Sequence, residues 1–312
     1  MKILVYSGLD EELCQMIRDA AGENTVVFAS SQDELIKEAT DTEVLYGFCS
    51  EEVFPLFGKL RWVQATSAGV ESQVYPAFKN SDIILTNAAG LYASQAAEQA
   101  FALLLGLTRG INLFSHNQAE HKWQGKRLIE INGWTLGIVG MGGFGMQMAQ
   151  RGKGFKMNVI AVDAYRTDKP DSVDELMPID KLDNLMSRAD VVMIACPLTP
   201  ETHHFINAEK LALMKPTAYL INVARGKIID EQALIAALKQ GQIAGAGLDV
   251  CEVEPLPADS PLWDMDNVII TPHVAGQSQH RPRLTIEFFC DNLKRYLAGE
   301  PLKNVVKKEL GF

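Results

Sequence analysis

The stretch Thr135-Leu136-Gly137-Ile138-Val139-Gly140-Met141-Gly142-Gly143-Phe144-Gly145 decides the fold. A short apolar run of strand length leads into G-x-G-x-x-G, and Phe144–Arg151 then reads as a helix. Gly140 permits the tight turn after the strand. Gly142 lets backbone approach a pyrophosphate, and Gly145 lets helix and strand pack closely. Free N–H groups at the N-terminus of that helix can hold phosphates. Asp163 closes the next strand and is placed to accept hydrogen bonds from a ribose hydroxyl, which favours NAD over NADP. Arg166 pulls the other way, since an arginine there can pair a 2′-phosphate; its plainer reading is a surface arginine.

Outward from this loop the chain alternates strand and helix. Thr135–Val139, Asn158–Val162, Val191–Ala195, Ala218–Asn222, Ala244–Leu248 and Val268–Thr271 are apolar runs of strand length. Helical stretches lie between most of them. Glu231–Gln240 is one, with Asp230 as its N-cap and Gly241 as its stop. Upstream, Ile3–Tyr6, Thr25–Ala29, Val44–Phe48 and Trp62–Ala65 read as strands, Glu11–Ala20 and Asp33–Ala39 as helices. Ser94–Arg109 is a long Ala- and Leu-rich helix, a bridge between domains or one buried on several sides. Leu284–Leu297 is helical again. The pattern predicts α/β architecture with doubly wound parallel sheets.

The 312 residues suffice for two domains, and 47% hydrophobic with 22% charged residues suits a globular chain. A formal net charge of −10 argues against a nucleic-acid partner. It also requires any anionic ligand to meet a locally positive pocket. The five cysteines show no CxxC spacing, so neither a disulfide framework nor a zinc site is expected. Cys49, Cys196 and Cys251 read as inert thiols. The N-terminal apolar run is too short for a signal peptide, and no run of membrane-spanning length occurs. The expected compartment is the cytoplasm.

Ligands of open parallel sheets bind outside the carboxyl ends of the strands. Those positions hold the glycine loop, Asp163, Cys196-Pro197, Val223-Ala224-Arg225-Gly226, Asp249, and Pro272-His273-Val274-Ala275-Gly276. The set suits reduction of a keto acid. Arg225 offers a planar two-pronged donor to a carboxylate. His273 titrates in the range a general acid needs. A neighbouring carboxylate would favour its imidazolium and fix its ring; Glu252, Glu254, Asp259, Asp264 and Asp266 are all candidates, and spacing does not choose among them. Arg225 has a plainer reading as a loop arginine paired with Asp230. His273 is one histidine of six. The adjacent His203 and His204, read on a helix, diverge and are structural or surface residues rather than metal ligands.

Several ordered blocks resemble the D-isomer-specific 2-hydroxyacid dehydrogenases. They are Pro197-Leu198-Thr199-Pro200-Glu201-Thr202, Met214-Lys215-Pro216, Asn222-Val223-Ala224-Arg225-Gly226, Gly247-Leu248-Asp249-Val250, Glu254-Pro255-Leu256-Pro257 and Thr271-Pro272-His273-Val274-Ala275-Gly276. Weaker similarity extends to Ser67-Ala68-Gly69-Val70, Asn87-Ala88-Ala89-Gly90, Ala97-Glu98 and Asn304-Val305-Val306. The resemblance implies a Rossmann-type cofactor domain over 99–283, inserted into a smaller flavodoxin-like substrate domain of 1–98 and 284–312, with the site in the cleft between them. It selects Glu254 as the partner of His273. It implies substrate contacts from Ala68, Gly69 and Arg225. Cofactor contacts follow from Gly140, Gly142, Gly143, Phe144, Gly145, Asp163, Cys196, Pro197, Val223, Ala224, Arg225, Asp249, His273 and Gly276, with Asp249 facing the nicotinamide amide. Trp134, Gln95 and Gln99 depart from the family pattern. The chain ends at Phe312, which implies no added regulatory domain.

The expected activity is hydride transfer between NAD, or NADP through Arg166, and a small 2-keto or 2-hydroxy acid, with no metal. A homodimer is what the resemblance implies. The rivals are a non-catalytic NAD(H)-sensing interaction module of the same fold and a dehydrogenase of another small anion such as phosphite.

Overall fold

The computed structural model of the chain describes residues 1–311. It divides into two compact units, Met1–Tyr92 with the residues from Ser278 onward, and Ala93–Gln277. These breaks fall a few residues before the expected 98/99 and 283/284.

The first unit runs β1 (Lys2–Tyr6), α1 (Glu11–Ala21), β2 (Thr25–Ala29), α2 (Gln32–Glu38), β3 (Val44–Tyr46), β4 (Trp62–Gln64), α3 (Pro76–Lys79) and β5 (Ile84–Thr86). All five strands pair in parallel in the order β2-β1-β3-β4-β5, the flavodoxin-like order. Side-chain alternation along β1 sends Ile3 and Val5 into one core layer and Leu4 into the other. The helix Arg281–Ala298 returns to this unit from the far end of the chain. It buries Ile286, Phe289 and Leu293 beside β3, β4 and α1. The strand β5 was not anticipated, because three residues are too few to show a period.

The second unit contains α4 (Ala93–Thr108), α5 (Ile111–Ala119), β6 (Thr135–Val139), α6 (Gly143–Gly154), β7 (Asn158–Asp163), β8 (Glu175–Pro178), α7 (Leu182–Arg188), β9 (Val191–Ile194), α8 (Ala208–Leu213), β10 (Tyr219–Asn222), α9 (Glu231–Lys239), β11 (Gly245–Leu248) and β12 (Val268–Ile270). Its sheet is parallel throughout, in the order β12-β11-β10-β9-β6-β7-β8. Counted from β6, this is the Rossmann order with one further strand. The edge strand β8 went unread, since it is short and closes on Pro178.

Local signals account for several of these elements. The Asp230 carboxylate accepts the Ala233 N–H at 3.0 Å and starts α9, as its position predicts. Helix α4 is apolar on nearly all sides because it is covered on several. Ala96, Ala100, Leu103, Leu104 and Leu107 are buried, and the helix packs on α6, β10, β11 and β12. Gly247 makes that approach possible: a Cβ there would lie 2.7 Å from Leu103 Cβ. The helix therefore belongs wholly to the second unit. Strands β9, β10 and β11 are buried along their whole length, which leaves only their ends for chemistry.

Candidate active site

The glycine loop crosses from β6 to α6 as its spacing requires. Gly140 has φ of 99°, and a Cβ on it would lie 2.6 Å from the Cys196 backbone nitrogen at the end of β9. Gly145 is tighter still, since its Cβ would fall 2.1 Å from the Gly140 carbonyl oxygen. Gly142 is the opposite case: its Cβ would meet no protein atom within 4 Å. The backbone is thus open on the side where a pyrophosphate approaches. The first N–H groups of the 12-residue α6 add positive potential there. These residues fit a dinucleotide.

Asp163 stands at the end of β7. One carboxylate oxygen accepts the Met141 N–H at 2.6 Å, and the other accepts the N–H groups of Tyr165 and Arg166 at 2.8 and 2.7 Å. The residue expected to meet a ribose therefore also ties the strand end to the glycine loop. Arg166 does not behave as a plain surface arginine. Its guanidinium donates to the Met141 carbonyl at 3.0 Å and pairs with Asp168 at 3.0 Å. A cation thus lies directly on the loop.

Three neighbouring strand ends carry the polar groups. After β10, the buried Asn222 accepts the Ala224 N–H at 3.0 Å and donates to the Arg225 carbonyl at 2.9 Å, shaping the turn through Val223 and Ala224. After β11, Asp249 is 1% exposed. Its carboxylate accepts the Thr271 hydroxyl at 2.6 Å and the Val274 and Ala275 N–H groups at 3.0 and 2.8 Å. Asp249 is the brace of the loop after β12, on which Gly276 follows Ala275. Within that loop His273 adopts φ of 53°, an uncommon conformation for a residue with a Cβ. Its N–H reaches the Asp249 and Thr271 carbonyls at 2.8 and 3.0 Å.

His273 Nδ1 lies 2.7 Å from Glu254 Oε2. With the carboxylate as acceptor, Nδ1 carries the proton and Nε2 is the nitrogen left for a substrate. The other Glu254 oxygen accepts the Cys251 N–H at 3.1 Å, so the carboxylate is itself oriented. Of the five candidate carboxylates, only that of Glu254 is bonded to the histidine ring. The pair opens onto a pocket of about 610 Å³ walled largely by Pro255, Leu256, Trp263, Ile270 and Pro272. The pair itself is open to solvent, with the His273 side chain 50% and the Glu254 side chain 37% exposed.

Burial pushes the thiols of Cys196 and Cys251 up to about 12 and that of Cys49 up to about 11. These cysteines are neutral packing groups, as expected. Pro197 follows Cys196 in the turn that abuts Gly140. His203 and His204 are not on a helix. They occupy a turn, with ring centroids 4.1 Å apart, where divergence was expected.

Ala68 and Gly69 belong to the first unit. The Ala68 carbonyl accepts from Asn87 at 2.7 Å and the Gly69 carbonyl from the Ser67 hydroxyl at 2.5 Å. Among the described residues no backbone carbonyl accepts the Ala68 or Gly69 N–H. Asn222, Thr271 and Gln99, which brace the candidate site, were not singled out from sequence for that role; Gln99 donates to the Thr271 hydroxyl at 2.9 Å. Asn222 had a usable signal in its place at a strand end just before Arg225. Thr271 had the same signal, closing Val268–Thr271 just before Pro272-His273; Gln99 had none, because it meets Thr271 across 172 residues.

The family model described as D-isomer specific 2-hydroxyacid dehydrogenase, NAD binding domain, matches residues 101–275. The chain is 36% identical to the D-3-phosphoglycerate dehydrogenase of Methanocaldococcus jannaschii over 98% of its own length, and spans 59% of that protein. It is 36% identical to the glyoxylate reductase of Korarchaeum cryptofilum, covering 90% of this chain and 87% of that one. The crystal structure of the D-isomer specific 2-hydroxyacid dehydrogenase from Xanthobacter autotrophicus Py2, in complex with NADPH and MES, superposes with a TM-score of 0.85. Its sequence is 31% identical, with 100% of this chain and 99% of that chain covered.

Proposed function

We propose that this chain, which belongs to the D-isomer specific 2-hydroxyacid dehydrogenase family and is an NAD(P)-dependent oxidoreductase, reduces a small 2-keto acid to its D-2-hydroxy acid. The observation that carries this is the His273–Glu254 pair at 2.7 Å, on a strand end two strands from that of Arg225. The dinucleotide, when bound, supplies the hydride. The chain's own residues do the rest. Arg225, whose Nη1 also donates to the Ala224 carbonyl at 2.6 Å, supplies the cation for the substrate carboxylate. Glu254 holds the His273 ring so that Nε2 gives its proton to the carbonyl oxygen as that oxygen becomes a hydroxyl. The positive charges set against the carboxylate are local, which is how a chain of net charge −10 accepts an anion.

The test is oxidation of NADH and NADPH, each with glyoxylate, hydroxypyruvate, pyruvate and a branched and an aromatic keto acid. Turnover with at least one is expected. No turnover across that panel overturns the proposal and favours a nucleotide-sensing module. NADH as the better cofactor is expected from Asp163; a preference for NADPH assigns the choice to Arg166. His273→Ala is expected to lower kcat by roughly 10²- to 10⁴-fold, the usual range for a general acid, with cofactor affinity unchanged.

A further inference from the structure

We infer that Glu252 is a positioning residue: held by Glu231 and His204, it fixes the loop that carries Glu254 against the turn that carries Arg225. The inference rests on the reading of Glu254 and His273 as the proton-transfer pair. Among the described residues, no peptide N–H of residues 250–256 reaches a backbone carbonyl. The loop is held by side chains instead. Its Cys251 N–H goes to Glu254, and its Glu252 N–H donates to Glu231 Oε2 at 2.9 Å. The exchange is reciprocal, since the Glu231 N–H at the start of α9 donates to Glu252 Oε2 at 3.3 Å. The remaining Glu252 oxygen lies 2.8 Å from His204 Nε2.

His204 is itself anchored to the Arg225 side of the structure. It sits at φ of 51°, and its N–H donates to the Lys227 carbonyl at 2.9 Å. The His203 ring lies against its own. The two loops also press directly on one another. A Cβ at Gly226 would fall 1.9 Å from the Cys251 carbonyl oxygen and 2.6 Å from the Glu252 nitrogen. Contact alone sets a distance of approach; it does not stop the 251–254 loop from sliding. The carboxylate of Glu252 supplies that restraint, because its two oxygens face two different segments. Loss of the restraint displaces Glu254, and with it the His273 ring. Reacting groups displaced by about 1 Å lose rates of up to 10²-fold.

The experiment compares Glu252→Ala and Glu252→Gln with the native chain. In Glu252→Ala, kcat is expected to fall about tenfold, with cofactor affinity by fluorescence titration within about twofold of native. Glu252→Gln is expected to keep most of the rate. Its amide oxygen accepts from the Glu231 N–H while its NH₂ faces His204 Nε2. In a Glu254→Gln background, Glu252→Ala is expected to cost little more, because the loop no longer holds the histidine's partner. The downfield Nδ1–H resonance of His273, assigned by its loss in His273→Gln, is expected to move or exchange away in Glu252→Ala. That signal needs no turnover, so a native chain inactive on every keto acid counts against the function and not against this inference. An unchanged kcat and resonance in Glu252→Ala overturns it. So does a loss of rate that Gln does not rescue, or that adds fully to that of Glu254→Gln.

Discussion

In the proposed reaction, Arg225 and His273 divide the work by chemistry. A guanidinium meets a carboxylate through two parallel bonds, and an ammonium cannot reproduce that geometry. Arg225→Lys is therefore expected to lower kcat/KM by roughly 10- to 100-fold, mostly through KM, at about 1.5–3 kcal/mol for hydrogen bonds to a charged group. Steady-state kinetics on the best keto acid of the panel checks this. The thiols make the contrary prediction. With burial holding Cys196 and Cys251 up to about 12, both are neutral at pH 8. Iodoacetamide at that pH is expected to leave activity intact over a period that inactivates a thiolate enzyme. Rapid loss of activity would place a reactive cysteine at the site.

At the scale of elements, the candidate site is a set of strand ends locked to one another by side chains. Asp163 ties β7 to the glycine loop, and Asp249 ties the end of β11 to the loop after β12. The glycine contacts make these junctions intolerant of a single methyl group. In Gly145→Ala the new Cβ meets the Gly140 carbonyl, which is backbone and has nowhere to go. Overpacking of this kind costs about 1–3 kcal/mol or more. The expected result is a lowered Tm and at least about tenfold weaker dinucleotide binding by fluorescence titration. Gly142→Ala meets no protein atom and is expected to keep the native Tm. The element pattern itself was largely legible from sequence, because apolar period, caps and glycine spacing act within a few residues. The strands that escaped, β5 and β8, are too short to show a period. The paired histidines were misplaced because a helix was assumed where a turn stands.

At the scale of the whole molecule, the fold comprises two parallel sheets, one of them completed by a helix from the far end of the chain. We also propose that the chain forms a homodimer. Trp123, in the segment after α5, is fully exposed, and Ile111, the first residue of α5, and Ile129 are partly so. Large exposed apolar side chains favour association where they adjoin. Sedimentation equilibrium is expected to give twice the chain mass, and Trp123→Ser to weaken the dimer. A monomer at micromolar concentration would refute it. No helix among the described residues is long and apolar enough to cross a membrane.

Sequence by itself determined the alternation of strand and helix, the glycine loop, and the strand ends that carry the candidate residues. Those follow from interactions local in the chain. It also narrowed the candidates to Arg225 and His273, because so few residue types can bind a carboxylate or move a proton near neutral pH. Tertiary structure alone decided the pairings. Physics of the sequence left five carboxylates as partners for His273, and a family resemblance preferred one. In the structure the choice is a 2.7 Å contact across 19 residues. The second role of Asp163, the seat of Arg166 on the glycine loop and the clamp through Glu252 were invisible for the same reason. Each joins segments whose separation along the chain carries no period, and only a folded backbone brings them within the reach of a hydrogen bond.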